Sequence, residues 1–187
     1  MTAARPAADP VARDPEAEPT SGANTARRVP VPLMTAAAAL AIAVALSVPL
    51  EDGALIVAWL AMAIMLVAAA EDLRTRRLRN TLVAPALVFA IAADPSLATV
   101  AAALLAVFPF LFFAFWKPGS IGMGDVKFAA PAGALAGFEA VGSLLIVIAL
   151  LGGVLSIAAF VRSGRSATLA YGPAIALGTL LVAFALN

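Results

Sequence analysis

This chain of 187 residues contains no cysteine and no histidine. Thiol nucleophiles, disulfides, serine–histidine triads and histidine- or cysteine-ligated metals are therefore excluded. Carboxylate chemistry is compatible with these absences, which are not themselves evidence for it. Beyond residue 30 the acids are Glu51, Asp52, Glu71, Asp72, Asp94, Asp125 and Glu139. Glu71, Asp72 and Asp125 stand apart, because each lies among cations. Two aspartates on one side of a helical bundle can share a proton, since like charges a few ångströms apart do not both ionise cheaply. One carboxylate then activates water as a general base, and its protonated partner polarises a peptide carbonyl as a general acid. Such a pair needs no Ser, Cys, His or metal. Its two titrations belong to the pair and not to either residue.

The first segment reads Ala70-Glu71-Asp72-Leu73-Arg74-Thr75-Arg76-Arg77-Leu78-Arg79-Asn80. Its plain reading is an interfacial ion pair, Asp72 with Arg76 at i,i+4, worth only about 0.3–0.5 kcal/mol. The second reads Gly119-Ser120-Ile121-Gly122-Met123-Gly124-Asp125-Val126-Lys127. Its plain reading is a glycine turn with Asp125 near a helix N-terminus, where the helix dipole favours a carboxylate. Gly122 and Gly124 also lack Cβ atoms, which lets another backbone or a peptide come close. Each segment alone leaves both readings open. Glu71 adjoins Asp72, but successive helix positions point about 100° apart, and it is read as a bystander.

The elements that position these residues are membrane helices. Apolar residues make up 63% of the chain, charged residues 12%, and the mean hydropathy is +1.02. A soluble domain is about 45–50% apolar and about 25% charged. An ordinary soluble domain, a disordered protein and a nucleic-acid binder are thereby excluded, and the lipid bilayer is the implied solvent. Residues 1–30 are rich in Pro, Ala and charge and read as a disordered cytoplasmic tail. Residues 31–187 read as a transmembrane domain. The apolar runs predict helices at about 33–50, 54–70, 81–93, 97–116, 126–138, 141–161 and 172–186. Pro85 and Pro131 fall inside two short ones, which membrane helices tolerate. The first run is read as a retained span, not a cleaved signal peptide. Gly133 and Gly137 form a GxxxG in the fifth run, and Gly152–Gly153 interrupt the sixth; both are read as packing features.

Charge orders these spans. With the N-terminus inside, the inner segments carry Arg27, Arg28, Arg74, Arg76, Arg77, Arg79, Lys117, Lys127, Arg162 and Arg165. The outer connections carry Glu51, Asp52, Asp94 and Glu139. The positive-inside rule predicts this bias, and it favours seven spans with the N-terminus cytoplasmic. Glu71, Asp72 and Asp125 fall on the inner side, where topology alone gives no reason for an acid.

At these residues the chain resembles the prepilin peptidases, the type IV leader peptidases of the GxGD aspartyl protease class. Asp72-Leu-Arg-Thr-Arg-Arg-Leu-Arg-Asn80 is similar to the family's D…R.IPN loop. Gly122-Met-Gly124-Asp125-Val-Lys127 matches GxGDxK in full. Tyr171-Gly172-Pro173-Ala174-Ile-Ala-Leu-Gly178 is similar to the family's fGPxlalG stretch. The three motifs occur in the family order and cover most of residues 54–187. The resemblance implies an all-α polytopic bundle of about seven spans, a six-helix peptidase core plus one N-terminal helix, in the inner membrane. It implies that Asp72 and Asp125 are the catalytic pair at the cytoplasmic boundary, and that Gly122 and Gly124 shape the loop carrying Asp125. Asn80 and Lys127 match motif positions, with a structural role expected for Lys127. The implied substrates are prepilins or pseudopilins, cleaved on the cytoplasmic side, with no cofactor and no metal.

The chain departs from the pattern in two places. Arg79 stands where the family loop has proline. The cysteine-rich N-terminal domain of the long family members is missing, so the resemblance is to the short form found in tight-adherence (Flp) pilus systems and among archaeal-type enzymes. The main alternative is a non-enzymatic polytopic protein, such as an assembly subunit or a small transporter, with the inner acids as salt-bridge partners or ion ligands. A signal-peptide-peptidase or presenilin-like protease shares GxGD but has tyrosine before the first aspartate, where this chain has Glu71.

Overall fold

A computed structural model describes residues 52–163 and 170–185 of the chain. The disordered tail and the apolar run at 33–50 expected from the sequence lie outside these residues. The described residues are helical and contain no strand: α1 (Gly53–Thr75), α2 (Asn80–Ala93), α3 (Leu97–Trp116), α4 (Met123–Ala136), α5 (Val141–Ser163) and α6 (Gly172–Leu180). A short π-helical segment, Leu181–Ala185, continues α6. Three helices are long and apolar enough to cross a membrane: Gly53–Thr75, Leu97–Trp116 and, within α5, Val141–Val161. Asn80–Ala93 and Gly172–Ala185 are apolar but shorter. At about 1.5 Å per residue, the 14 residues of α2 rise only about 21 Å. Against an expectation of about seven spans, the described residues hold three full-length ones.

Two helix boundaries differ from the expected ones in a way that matters. The expected second helix stops at 70, whereas α1 runs to Thr75 and carries Asp72 inside its last turn. The expected fifth helix starts at 126, whereas α4 starts at Met123 and takes Asp125 into its first turn. Polar residues ended the apolar runs, but the backbone hydrogen-bond ladder continues through them. Arg76 closes α1 in the left-handed conformation (φ 53°, ψ 36°), its amide donating to the Asp72 carbonyl at 2.8 Å. A non-glycine residue there costs roughly 1 kcal/mol, and the chain turns sharply as a result.

The core is built from small residues interleaved with a few large ones. Phe128 of α4, Met62, Met65 and Leu66 of α1, Leu144 and Ile148 of α5, and Ile175 of α6 are all buried. Alanines fill the gaps, so the helices lie close together. Gly133 takes part: a Cβ there would lie 2.5 Å from the Ala102 carbonyl oxygen of α3. Gly137, the other half of the GxxxG, does not pack. It caps α4 at φ +79° with open space where a Cβ would be. Gly152 packs as expected, against the Tyr171 ring, and α5 runs unbroken through Gly152 and Gly153. In contrast, the outer faces of α3 and α5 are apolar and exposed, with Leu104, Phe108, Ile146, Leu150 and Val154 uncovered. In lipid such faces are solvated, not stranded.

The helices meet at two ends. Asp94, after α2, accepts from the hydroxyls of Ser96 and Thr99, and the Ser96 side chain caps α3 by accepting from the Thr99 amide at 3.1 Å. That settles a carboxylate at the far end with local partners. The near end gathers the C-terminus of α1 and the N-termini of α2, α4 and α6.

Candidate active site

Asp72 comes from the last turn of α1 and is buried, with 4% of its surface exposed. A buried carboxylate needs hydrogen bonds or paired charge. Here the Gly172 amide, the first residue of α6, donates to its Oδ2 at 3.1 Å. Helix N-termini leave amides without intrahelical partners and carry partial positive charge. Asp72 therefore caps α6 from a helix one hundred residues earlier in the chain. Pro173 follows at the start of α6, where its missing N–H costs nothing. Only glycine fits at 172: a Cβ would lie 2.8 Å from Asp72 Oδ2 and 3.2 Å from its Cγ. The positive charge of Arg76 also bears on Asp72, four residues on.

Asp125 lies in the first turn of α4 and is partly buried. Its amide donates to the Gly122 carbonyl at 3.0 Å, and a Cβ on Gly122 would sit 3.2 Å from its Oδ2. Burial first, and then the charge of Asp72, push the Asp125 carboxyl up to about 6; the Gly122 amide pulls it the other way. The two carboxylates thus act on each other across the end of the bundle, although 53 positions separate them in the chain.

The loop between α1 and α2 joins the two motifs. Gly124 packs on Leu78, whose Cβ would be 3.1 Å from a Cβ at 124. Lys127 Nζ donates to Asn80 Oδ1 at 3.4 Å, a long bond between exposed groups. Glu71, read as a bystander, accepts an ion pair from Arg79 Nε at 3.0 Å. Arg79 holds φ −82° and ψ 133° at the start of α2. Proline fixes φ near −65 ± 15°, so Arg79 keeps nearly the backbone that a proline would impose.

All six residues singled out by sequence, Asp72, Asn80, Gly122, Gly124, Asp125 and Lys127, fall in this one region. Sequence reasoning singled out the Tyr171-Gly172-Pro173 stretch as a motif but did not connect the Gly172 amide to Asp72. The Gly-Pro start of a helix marks a boundary but not its partner. Among the described residues no group of acids is arranged to hold a metal ion. Two carboxylates, one anchored by a helix amide and the other pressed by burial and by its neighbour's charge, can divide one proton between a base and an acid.

Comparison with known proteins gives one family. The model of the type IV leader peptidase family matches residues 59–157, a stretch that holds Asp72, Asn80, Gly122, Gly124, Asp125 and Lys127. Neither the curated proteins nor the solved structures gave a match.

Proposed function

The chain belongs to the type IV leader peptidase family, and from that premise we propose that it is a membrane aspartyl endopeptidase in which Asp72 and Asp125 are the catalytic pair. It removes the leader peptide of type IV prepilin-like precursors, of the Flp or tight-adherence kind, at the cytoplasmic face of the inner membrane. The observation that carries the reading is the placement of Asp72 in the last turn of α1 and Asp125 in the first turn of α4, at the end of the bundle where the α1–α2 loop packs on Gly124 and Lys127 bonds Asn80.

In the working state one carboxyl is ionised and takes a proton from water as that water attacks the scissile carbonyl carbon. The other carboxyl donates its proton to the carbonyl oxygen, giving a tetrahedral diol. Collapse of the diol breaks the C–N bond, and a proton passes to the leaving amine. Asp72, held by the Gly172 amide, stays fixed while Asp125 approaches on the glycine-bounded start of α4. The cations beside the pair, Arg74, Arg76, Arg77, Arg79, Lys117 and Lys127, support an inner-side location by the positive-inside rule. Asp52, Asp94 and Glu139 flank the opposite ends of the same helices. Seven spans with a cytoplasmic N-terminus remain the topology that this charge distribution favours.

Co-expression with a tagged pilin precursor from the same organism tests this reading. A shortened precursor whose new N-terminus falls at the end of the leader is the expected product. An unprocessed precursor, or cleavage within the pilin body, would overturn it.

A further inference from the structure

The turn between α1 and α2 carries four arginines in six positions, Arg74, Arg76, Arg77 and Arg79, and all four are exposed. Arg79 is paired with Glu71. Arg74 and Arg77 make no side-chain hydrogen bond or ion pair with any described residue. The turn that holds them has a fixed shape. Arg76 is left-handed, and the Thr75 hydroxyl lies 3.0 Å from the Glu71 carbonyl oxygen and 3.3 Å from that of Arg77. Leu78 is partly buried against Gly124 of α4, while Arg77 and Arg79 on either side of it stay exposed. The depth of this turn follows from the helices. Arg74 lies in the last turn of α1, a span of 23 residues, so the turn begins where that span leaves the hydrocarbon. α3 finishes at the same end, where Phe115 and Trp116, each 75% exposed, are followed directly by the exposed Lys117. Exposed aromatics with a cation beside them belong to a membrane–water boundary, the level of the lipid headgroups.

We propose that the α1–α2 turn is a docking surface for anionic phospholipid headgroups, with Arg74 and Arg77 as the groups that take the phosphates. A guanidinium offers a planar fork of donors that matches two phosphate oxygens at once. A cluster of basic residues directly after a membrane span attracts an anionic leaflet, and each residue near the surface adds to the attraction. Arg79 is already engaged by Glu71, which leaves Arg74 and Arg77 for the lipid. The positive-inside rule gives the side on which the cluster lies; the two unpaired guanidiniums on a rigid turn give it a ligand. The turn so held is the one whose Leu78 packs on Gly124, next to Asp125.

Docking of this kind is tested without any substrate. The full chain is reconstituted in phosphatidylcholine vesicles with a trace of spin-labelled phosphatidylglycerol or, in parallel, spin-labelled phosphatidylcholine. Electron spin resonance then gives the share of each label that the protein immobilises, and circular dichroism confirms that the helices persist in every variant. The wild type should prefer the anionic label by about fivefold, the equivalent of one basic residue per headgroup at a charged surface. The preference should shrink in high salt, which screens exposed charges. In Arg74→Gln/Arg77→Gln the two labels should be held within about twofold of each other, again on the scale of one basic residue. Arg74→Lys/Arg77→Lys should keep most of the preference, because the charge remains, and Glu139→Gln at the far end should leave it unchanged. Inorganic phosphate at matched ionic strength should not abolish it. Equal retention of both labels by the wild type would overturn the proposal. A preference that persists in the double glutamine variant would also overturn it, by giving the contact to other cations. Loss of the preference to inorganic phosphate would overturn it too, by making the ligand a free anion and not a lipid. None of these outcomes depends on what the protein cleaves, so the peptidase reading stands or falls separately.

Discussion

Asp125 carries a cost that an aspartate placed only for stability would not. Its carboxyl is raised from 3.8 to about 6, first by burial and then by Asp72. The folded protein therefore holds this proton more tightly than the unfolded chain does. The group's contribution is most favourable below pH 4 and is lost as the pH rises through about 6. Asp125→Asn, neutral at every pH, should melt higher than wild type above pH 6, by about 1–2 kcal/mol allowing for partial exposure. The gain should vanish near pH 4. Thermal unfolding in detergent across that range checks it, and equal melting at all pH values would contradict the burial argument. Both aspartates were legible in the sequence, because acids among cations on the inner side had no topological reason. The Gly172 amide was not. Its partner is one hundred residues away, and no local pattern encodes such a contact.

At the scale of elements, the site is made by helix ends, and glycine decides how closely they meet. A Cβ at Gly172 would strike Asp72 at 2.8 Å, whereas one at Gly124 would meet Leu78 at 3.1 Å. The second neighbour is a side chain beside a loop and can yield by a few tenths of an ångström. Gly172→Ala should therefore lower cleavage by about a hundredfold, since a misplacement of about 1 Å costs on that order. Gly124→Ala should cost much less. Cleavage rates at matched membrane levels check the order, and the reverse order would contradict this packing. Arg79→Pro should leave cleavage within about threefold of wild type. The residue already holds φ −82°, and its exposed pair with Glu71 is worth at most about 1 kcal/mol. Loss of cleavage in that variant would show that the ion pair, not the backbone, sets the loop. The helices themselves were legible from their apolar runs. Their ends were not: α1 and α4 each extend through polar residues that interrupt the hydropathy signal.

At the scale of the molecule, charge and apolarity together define an orientation. Cations cluster at the aspartate end, while Asp52, Asp94 and Glu139 lie at the other. The outward faces of α3 and α5 present large apolar side chains to their surroundings. Because the chain has no cysteine, each introduced cysteine is the sole thiol. Arg77→Cys and Ser120→Cys should react with an impermeant maleimide only when the cytoplasmic face is opened. Asp52→Cys and Glu139→Cys should react from the outside of intact cells. Labelling of both sets from one side would contradict the proposed topology. The all-helical class was legible from the length of the apolar runs. The number of complete crossings was not, since α2 and α6 are too short for length to decide it.

The measurement that bears most directly on the paired aspartates is a mutant cycle on purified protein in lipid vesicles, with cleavage of a pilin precursor followed by mass. Asp72→Asn and Asp125→Asn should each reduce the rate by at least about a thousandfold, and the double variant should be no slower than the worse single one, because groups that act as a unit are not additive. Substantial cleavage by either single variant, or losses that multiply in the double variant, would contradict a shared catalytic role for Asp72 and Asp125.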